Sequence, residues 1–482
     1  MRKNYDVIIV GAGPAGIFCA YELIKNTKPI SKKILLVERG ELVENRKCPL
    51  KAKEVEKCVK CKPFCTITNG FSGAGAYSDG KLSYFNEDDD DLYVGGNLHK
   101  YTGVKKAKDL IRYTLHQYIQ YGAGENKELE ETKDPSKIAQ IRKRTQSIGY
   151  ELISVPICHI GTDKAPDIFK EIEDDLQVAG VDIRCNTETD DLIIENNKVK
   201  GIIYHDVKSK SVYEAYAPKV VIPVGRGAAD WLLNMCNKYN IKSSPATIDI
   251  GIRYELPNDI MFEINEYLYE GKIIGRPNPF NDKVRTFCQN PSGYVSTEVY
   301  ANELTLVNGQ SYKNKGKGSD NTNLALLVSL DLKGVADPME YTRNVARNMN
   351  VLADGQVLVQ RLEDIKAGKR TWQEELEQNS VVPTLTSAKA GDISLAMPYR
   401  ELTDILKFIE ELDKVIPGFA NGDNLLYAPE IKFYSNKVDL TQELETSVSG
   451  LYAIGDGCGL TRGLMMASAS GVHVARSILK KL

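Results

Sequence analysis

Much is missing from these 482 residues, and each absence narrows the field. No uninterrupted apolar run approaches the roughly 20 residues needed to span a bilayer, so no membrane association is expected. After Met1, Arg2 and Lys3 the first apolar stretch, Val7 to Val10, is cut off by Gly11, too soon for a signal peptide. The chain is therefore read as cytoplasmic. A charge surplus is missing too: 62 Lys and Arg stand against 65 Asp and Glu, a net charge of -3, with no split into acidic and basic halves. A general electrostatic footprint for nucleic acid is thus not expected. Internal repeats are absent. With 42% hydrophobic and 26% charged residues the composition is that of a packed globular protein, not a disordered or coiled-coil one. At roughly 150 residues per domain the length allows about three domains, or two larger ones.

Cysteine is sparse as well, ten in all, yet Cys48, Cys58, Cys61 and Cys65 crowd into one short stretch with the spacing C-x9-C-x2-C-x3-C. In a reducing compartment such a group points to metal or redox chemistry rather than a disulfide framework. Four thiolates can hold zinc or a [4Fe-4S] cluster, and the spacing is not that of bacterial ferredoxins. Cluster, zinc and unmetallated thiols all remain open, and Lys57, Lys60 and Lys62 are expected to lower the thiol pKa values.

Residues 5–10 read as a buried strand, followed by Gly11-Ala12-Gly13-Pro14-Ala15-Gly16, a helical pattern through Ile17, Ala20, Tyr21 and Ile24, and a second strand over 33–37 ending at Glu38 and Arg39. Each part has a physical reason. Gly11 permits a tight turn, Gly13 lets the backbone approach a pyrophosphate, and Gly16 lets helix and strand pack closely. Pro14 and Ala15 open the helix whose free amides meet the phosphates, and Glu38 is placed to bind a ribose. An adenine dinucleotide is expected here.

At the other end, Leu451 to Gly455 and Asp456 form a buried strand ending in Gly-Asp, followed by Gly463, Leu464 and Met465 at the start of a helical run. This pair of motifs resembles the two-dinucleotide-fold, glutathione-reductase-like flavoproteins. The resemblance implies that Asp456 holds a ribityl hydroxyl and that the helix after Gly463 points its N-terminus at the flavin. Residues 219–227, with Gly225 and Arg226, look like the segment by which that superfamily returns to the flavin pocket. A three-stranded meander over 191–195, 198–205 and 211–216, turning at Asn196-Asn197, precedes it, as in those FAD domains. FAD is accordingly the expected cofactor.

Three more segments sharpen the match: Gly73-Ala74-Gly75-Ala76-Tyr77-Ser78-Asp79-Gly80-Lys81-Leu82, then 285–291 with Gly293, and 429–434. With the cysteine group and 225–231 they resemble a bacterial group of uncharacterised NAD(FAD)-utilising dehydrogenases. The match runs nearly end to end and is least recognisable over 120–150. One departure is local: where the group tends to carry Ala-Pro-Gly-Arg-Ser, this chain has Pro223-Val224-Gly225-Arg226-Gly227.

The expected fold is α/β: a Rossmann-type FAD-binding domain, with a parallel sheet and a small meander, carrying an inserted α+β substrate or cap domain. The FAD domain is expected over 1–243, with a cysteine-rich insertion at 42–70, and over 426–482; the cap is expected over 244–425. Cap strands are expected at 247–255, 293–299 and 324–332, and helices at 339–350 and 400–412. The loop from Gly73 to Lys81 is expected to wrap the flavin, with Lys81 neutralising pyrophosphate or reduced ring. His159, at a strand end, is a candidate acid or base, weighed against a structural role. Arg253 and Arg285 are candidates for an anionic substrate, weighed against structural ion pairs. Cys288 has no recognisable partner base, and the acidic run 87–91 reads as a solvated face.

The function expected is hydride transfer between flavin N5 and a small-molecule substrate. No second complete dinucleotide fingerprint exists, so NAD(P)H or a ferredoxin-like protein is the candidate electron donor, and an iron-sulfur cluster beside the flavin would be an electron inlet. Two alternatives stand: a flavoprotein that modifies RNA, and a flavin redox carrier or sensor without a metabolite substrate.

Overall fold

Val7–Val10 is Val-Ile-Ile-Val with all four residues buried, the composition of a strand covered on both faces. In the computed structural model it lies inside a five-stranded parallel sheet ordered Leu451–Ala453, Lys219–Ile222, Val7–Val10, Ile34–Val37, Asp182–Arg184. The structure describes all residues except 1–2, 26–31, 56–57, 79, 86–91, 93, 125–133, 245–247, 269, 301–302, 313–314, 331, 333–334, 336–337, 433–436 and 482. Helix Pro14–Lys25 leaves the first strand and packs against helix Leu464–Leu479, so the two ends of the chain meet. The crossing is close: a Cβ on Gly471 would lie 2.2 Å from the Ala15 carbonyl oxygen. The expected meander is present as Thr187–Glu195, Lys198–Asp206 and Val212–Tyr216, and the short strand Lys3–Asn4 pairs with its last member.

Strand Ile248–Pro257 reads Ile-Asp-Ile-Gly-Ile-Arg-Tyr-Glu-Leu-Pro, a period of two. It sits in an eight-stranded sheet ordered 389–390, 358–361, 425–432, 248–257, 321–330, 283–290, 271–275, 151–154. Its apolar set, Ile248, Ile250, Ile252, Tyr254 and Leu256, shares one core with helices Pro338–Leu352 and Tyr399–Asp413 through Val345, Met349, Ile405, Phe408 and Ile409. Strict alternation normally means that the second face meets water. Here it does not: Asp249, Arg253, Glu255 and, on the neighbouring strand, Glu430 are each at most 1% exposed. Hairpin Tyr294–Tyr300/Leu304–Gln310 covers part of this charged face, with Asn308 Oδ1 accepting from Arg253 at 3.4 Å.

Both expected boundaries move. Helix Pro135–Ser147 and strand Glu151–Ser154 put Ile138, Ile141 and Leu152 into the second core, and the strand pairs with Gly271–Gly275, so these residues leave the 1–243 unit. Strand Leu425–Lys432 lies between Ile248–Pro257 and Leu358–Arg361, which carries the second unit past 425 to 432. The reason is long-range pairing, invisible in local pattern. The expected strands and helices of the second unit appear within a few residues of their expected limits. Among the described residues no helix is long and apolar enough to cross a membrane.

Candidate active site

The first glycine turn is built from steric limits. Gly11 has φ +120, and a Cβ on Gly16 would fall 2.0 Å from the Gly11 carbonyl oxygen, so Gly16 fixes how the helix leaves the strand. Gly13 is different: a Cβ there meets nothing within 4 Å, and the same holds at Gly225 and Gly463. These three open positions belong to one cradle. Gly73 abuts Gly13 and Pro14, with its would-be Cβ 3.3 Å from Gly13 Cα, and Ser72 donates its amide to Ala12 O at 2.7 Å. Gly455 faces Ala15 and the backbone of Pro223 and Val224, while Gly457 donates its amide to Val224 O at 2.8 Å. Gly75 packs on Leu464, placing the second glycine loop against the start of the C-terminal helix, where Met465 is buried. Ala74 precedes the short turn Gly75–Tyr77, Ser78 Oγ donates to Gly75 O and accepts from the Gly80 amide, and Gly80, φ +68, backs onto Ile160. Asp79 and the run 87–91 lie outside the described residues.

Glu38 closes one end of the cradle. Its carboxylate accepts the amides of Ala12 at 3.0 Å, Gly40 at 3.0 Å and Gly70 at 2.9 Å, which ties the turn, the second strand and the second glycine loop together. Arg39 donates to Asn69 Oδ1 and Gly227 O and lies over the Phe64 ring at 4.7 Å. Arg46 is 4% exposed, and its guanidinium donates to the carbonyls of Thr66, Ile67, Phe71 and Gly73 and to Ser72 Oγ. Burial lowers its pKa to about 10. Nothing in its sequence context marks this arginine; its role follows from five acceptors in two loops.

At the other end of the cradle Asp456 accepts from Thr461 Oγ1 at 2.7 Å. Burial raises its pKa, against the nearby Arg226, the Thr461 hydroxyl, the Gly463 amide and Arg462. Arg226 also faces Glu298 on the covering hairpin. Burial pushes that carboxyl up, yet Arg226, Lys432, Asn308 and Arg253 together hold it below its ordinary value. The chain's own donors and open glycines fit an FAD laid from Glu38 to Asp456: amides at the helix start for the pyrophosphate, and a half-buried carboxylate for the ribityl chain.

Lys81 and His159 sit opposite one another in a two-stranded ribbon, Lys81–Ser83 against Ile157–His159. His159 is 9% exposed, with Nε2 3.4 Å from Ser311 Oγ. Lys81 Nζ lies 3.2 Å from Glu270 Oε2 and 3.9 Å from Cys288 Sγ, and donates to Gln289 O. Cys288 has φ +48 at a register shift in strand Lys283–Asn290. Such a bulge re-aims side chains, and here Cys288 faces Lys81, a neighbour that sequence reasoning did not find. Arg253 and Arg285 are engaged in the wall. Arg253 makes a bidentate pair with Glu430, 2.7 Å on both arms, and Arg285 NH2 is 2.5 Å from Asp249 Oδ2, with NH1 3.0 Å from Ser329 Oγ. The structural ion-pair alternative therefore accounts for both, and the catalytic expectation for Arg285 is not what its contacts favour. Glu270 was missed because it lies in no motif.

All ten cysteines are free thiols, and among the described residues no three His, Cys, Asp or Glu side chains are grouped to hold a metal ion. Cys48, Cys58, Cys61 and Cys65 do sense one another. Burial raises the pKa of Cys58 and Cys61, and repulsion from the other thiolates adds to it; Lys60 acts in the expected direction on Cys58 but is outweighed, and Lys57 lies outside the described residues.

Comparisons with known proteins agree with this picture at a coarse level. Residues 273–432 match the family model described as FAD-dependent protein, C-terminal domain-like. A Clostridium beijerinckii protein described as uncharacterized is 25% identical over 498 residues, covering 98% of this chain and 80% of that one. Among solved structures, L-proline dehydrogenase from P. horikoshii is similar over 100% of this chain and 95% of its own at 12% identity and TM-score 0.41. Glycine oxidase from Bacillus cereus is similar over 99% and 96% at 13% identity and TM-score 0.37. The family match over the second unit agrees with the FAD dependence read from the glycine motifs.

Proposed function

We propose that the protein is a dehydrogenase or reductase that exchanges hydride between FAD and a small-molecule substrate held against the charged wall of the second sheet. One observation carries this reading: the ribbon that follows the second glycine loop meets the second unit at a group of titratable side chains, with Lys81 against Glu270 and Cys288 and His159 beside Ser311. FAD, when bound, supplies hydride exchange at its N5. The chain supplies the rest. Glu38 and Arg39 hold the adenosine end, Gly13 and the helix amides take the pyrophosphate, and Asp456 takes the ribityl chain. Lys81, steadied by Glu270, presents a positive charge, and His159 is the proton donor or acceptor at the edge of the ribbon. The cysteine segment is proposed to act as reduced thiols, with no step passing through a metal. The electron donor is proposed to be NAD(P)H or a small redox protein.

The test is an absorbance spectrum of anaerobically purified protein with iron, zinc and sulfide analysis, followed by NAD(P)H and ferredoxin addition. A flavin band that bleaches with a donor and recovers with a metabolite supports the reading. A protein that holds no flavin, or that binds RNA in a salt-sensitive way, sinks it.

A further inference from the structure

Lys60 donates from Nζ to the carbonyl oxygen of Glu303 at 2.8 Å, a contact between the cysteine segment and the second unit. Glu303 stands at the turn of the covering hairpin and is itself fixed, with Oε1 2.7 Å from Arg347 Nε on helix Pro338–Leu352. Further along the same limb, Phe64 lies under the Arg39 guanidinium at 4.7 Å. That guanidinium is a bridge. It donates to Asn69 Oδ1 at 2.6 Å and to Gly227 O at 3.2 Å, and so joins the end of strand Ile34–Val37 to the segment that carries the open position Gly225. Residues 58–65 therefore run from the rim of the cradle to the turn of the hairpin.

The limb has a firm root and a light tip. At the root Thr66 Oγ1 donates to Lys47 O at 2.8 Å, and Arg46 holds the carbonyls of Thr66 and Ile67 at 2.9 and 2.8 Å. From 58 to 65 no residue belongs to a helix or strand, so no regular backbone ladder fixes the limb in place. What meets the rest of the molecule at Lys60 and Phe64 is one hydrogen bond and one cation–π contact, both from half-buried side chains. Each contact of this kind shifts an equilibrium by about three- to tenfold, enough to favour a closed position and too little to lock it.

We infer that residues 58–65, latched by Lys60 on Glu303 and by Phe64 on the Arg39 bridge, form a flap that closes over bound FAD and must open for it to enter or leave. This deepens the proposed function and rests on its flavin cradle. Opening needs only the tip to let go, while the root stays bonded to Arg46.

The test measures both directions of FAD exchange in the full-length protein. Dissociation is followed by the return of free-flavin fluorescence on dilution, and association by its quenching when FAD meets the cofactor-free protein. Phe64→Ala and Lys60→Met are each expected to raise both rates about threefold or more, with the dissociation constant changing less than either rate. Lys62→Met removes the same charge from an exposed position on the same limb and is expected to leave both rates unchanged. The inference is overturned if neither rate moves in either variant, or if dissociation alone rises, which would make these side chains plain contacts of FAD. It is also overturned if Lys62→Met reproduces Lys60→Met, which would make the effect one of net charge. Failure of the wild-type protein to hold FAD would instead count against the proposed function, and is seen before any variant is compared.

Discussion

Lys81 Nζ stands 3.2 Å from Glu270 Oε2, joining the glycine loop of the nucleotide unit to the strand wall of the second unit. The pair is about nine-tenths buried, so its charges are poorly screened. Lys81→Met is expected to retain FAD and to lose turnover by about a hundredfold, the usual scale for a positioned acid, base or charge. Equal turnover in mutant and wild type, measured at saturating donor, would remove Lys81 from the site.

The two glycines of the first turn should respond differently. At Gly16 an added Cβ meets backbone 2.0 Å away, so Gly16→Ala is expected to give little folded protein. At Gly13 the space is open, so Gly13→Val should keep the stability of the cofactor-free protein within about 0.5 kcal/mol. The same variant should bind FAD at least about tenfold more weakly, because its side chain enters the cradle. Melting curves and FAD-to-protein ratios separate the two outcomes.

Arg253 and Glu430 are both fully buried, and a buried ion pair matters most when one partner is lost. Arg253→Met should cost about 3–5 kcal/mol by urea unfolding, since Glu430 keeps its charge with only Lys432, 3.0 Å away, to oppose it. Removing both charges in Arg253→Met/Glu430→Gln should recover part of that loss. Additive losses in the double variant would show that the pair is not coupled.

Asp404 offers a pH test. Its carboxyl is buried beside Asp282, and burial, a hydrogen bond to Asp282 and the repulsion of its charge raise its pKa to about 7. A carboxyl whose folded pKa is raised binds its proton more tightly in the folded state, so its stabilising contribution is full below the unfolded value of about 4. That contribution is lost as pH rises toward 7. Asp404→Asn should therefore raise the melting temperature at pH 8 relative to wild type and have little effect at pH 4. An unchanged difference across that range would contradict the buried proton.

The glycine turn, Glu38, Gly225 and Gly455-Asp456 are legible because local sterics and backbone donors dictate them; each needs a residue type at a fixed offset. The wall strand was half legible. Its alternation predicts a strand, but nothing local says that the face with Asp249, Arg253 and Glu255 is covered. Pairing partners were not legible at all. Arg253 and Arg285 read equally as ligand arginines or as ion-pair members until Glu430 and Asp249 arrive from distant strands. Helix Pro135–Ser147 failed for the same reason, since amphipathic patterning gives a face and not the core it enters.

Arg46 bonds to Thr66 and Ile67 on one side and to Phe71, Ser72 and Gly73 on the other. The cysteine segment and the glycine loop consequently cannot loosen one at a time, because displacing either exposes a buried guanidinium that the other still holds. In hydrogen exchange the two should open as one cooperative unit, and a disturbance among the thiols would be felt as a change of order at the cofactor cradle.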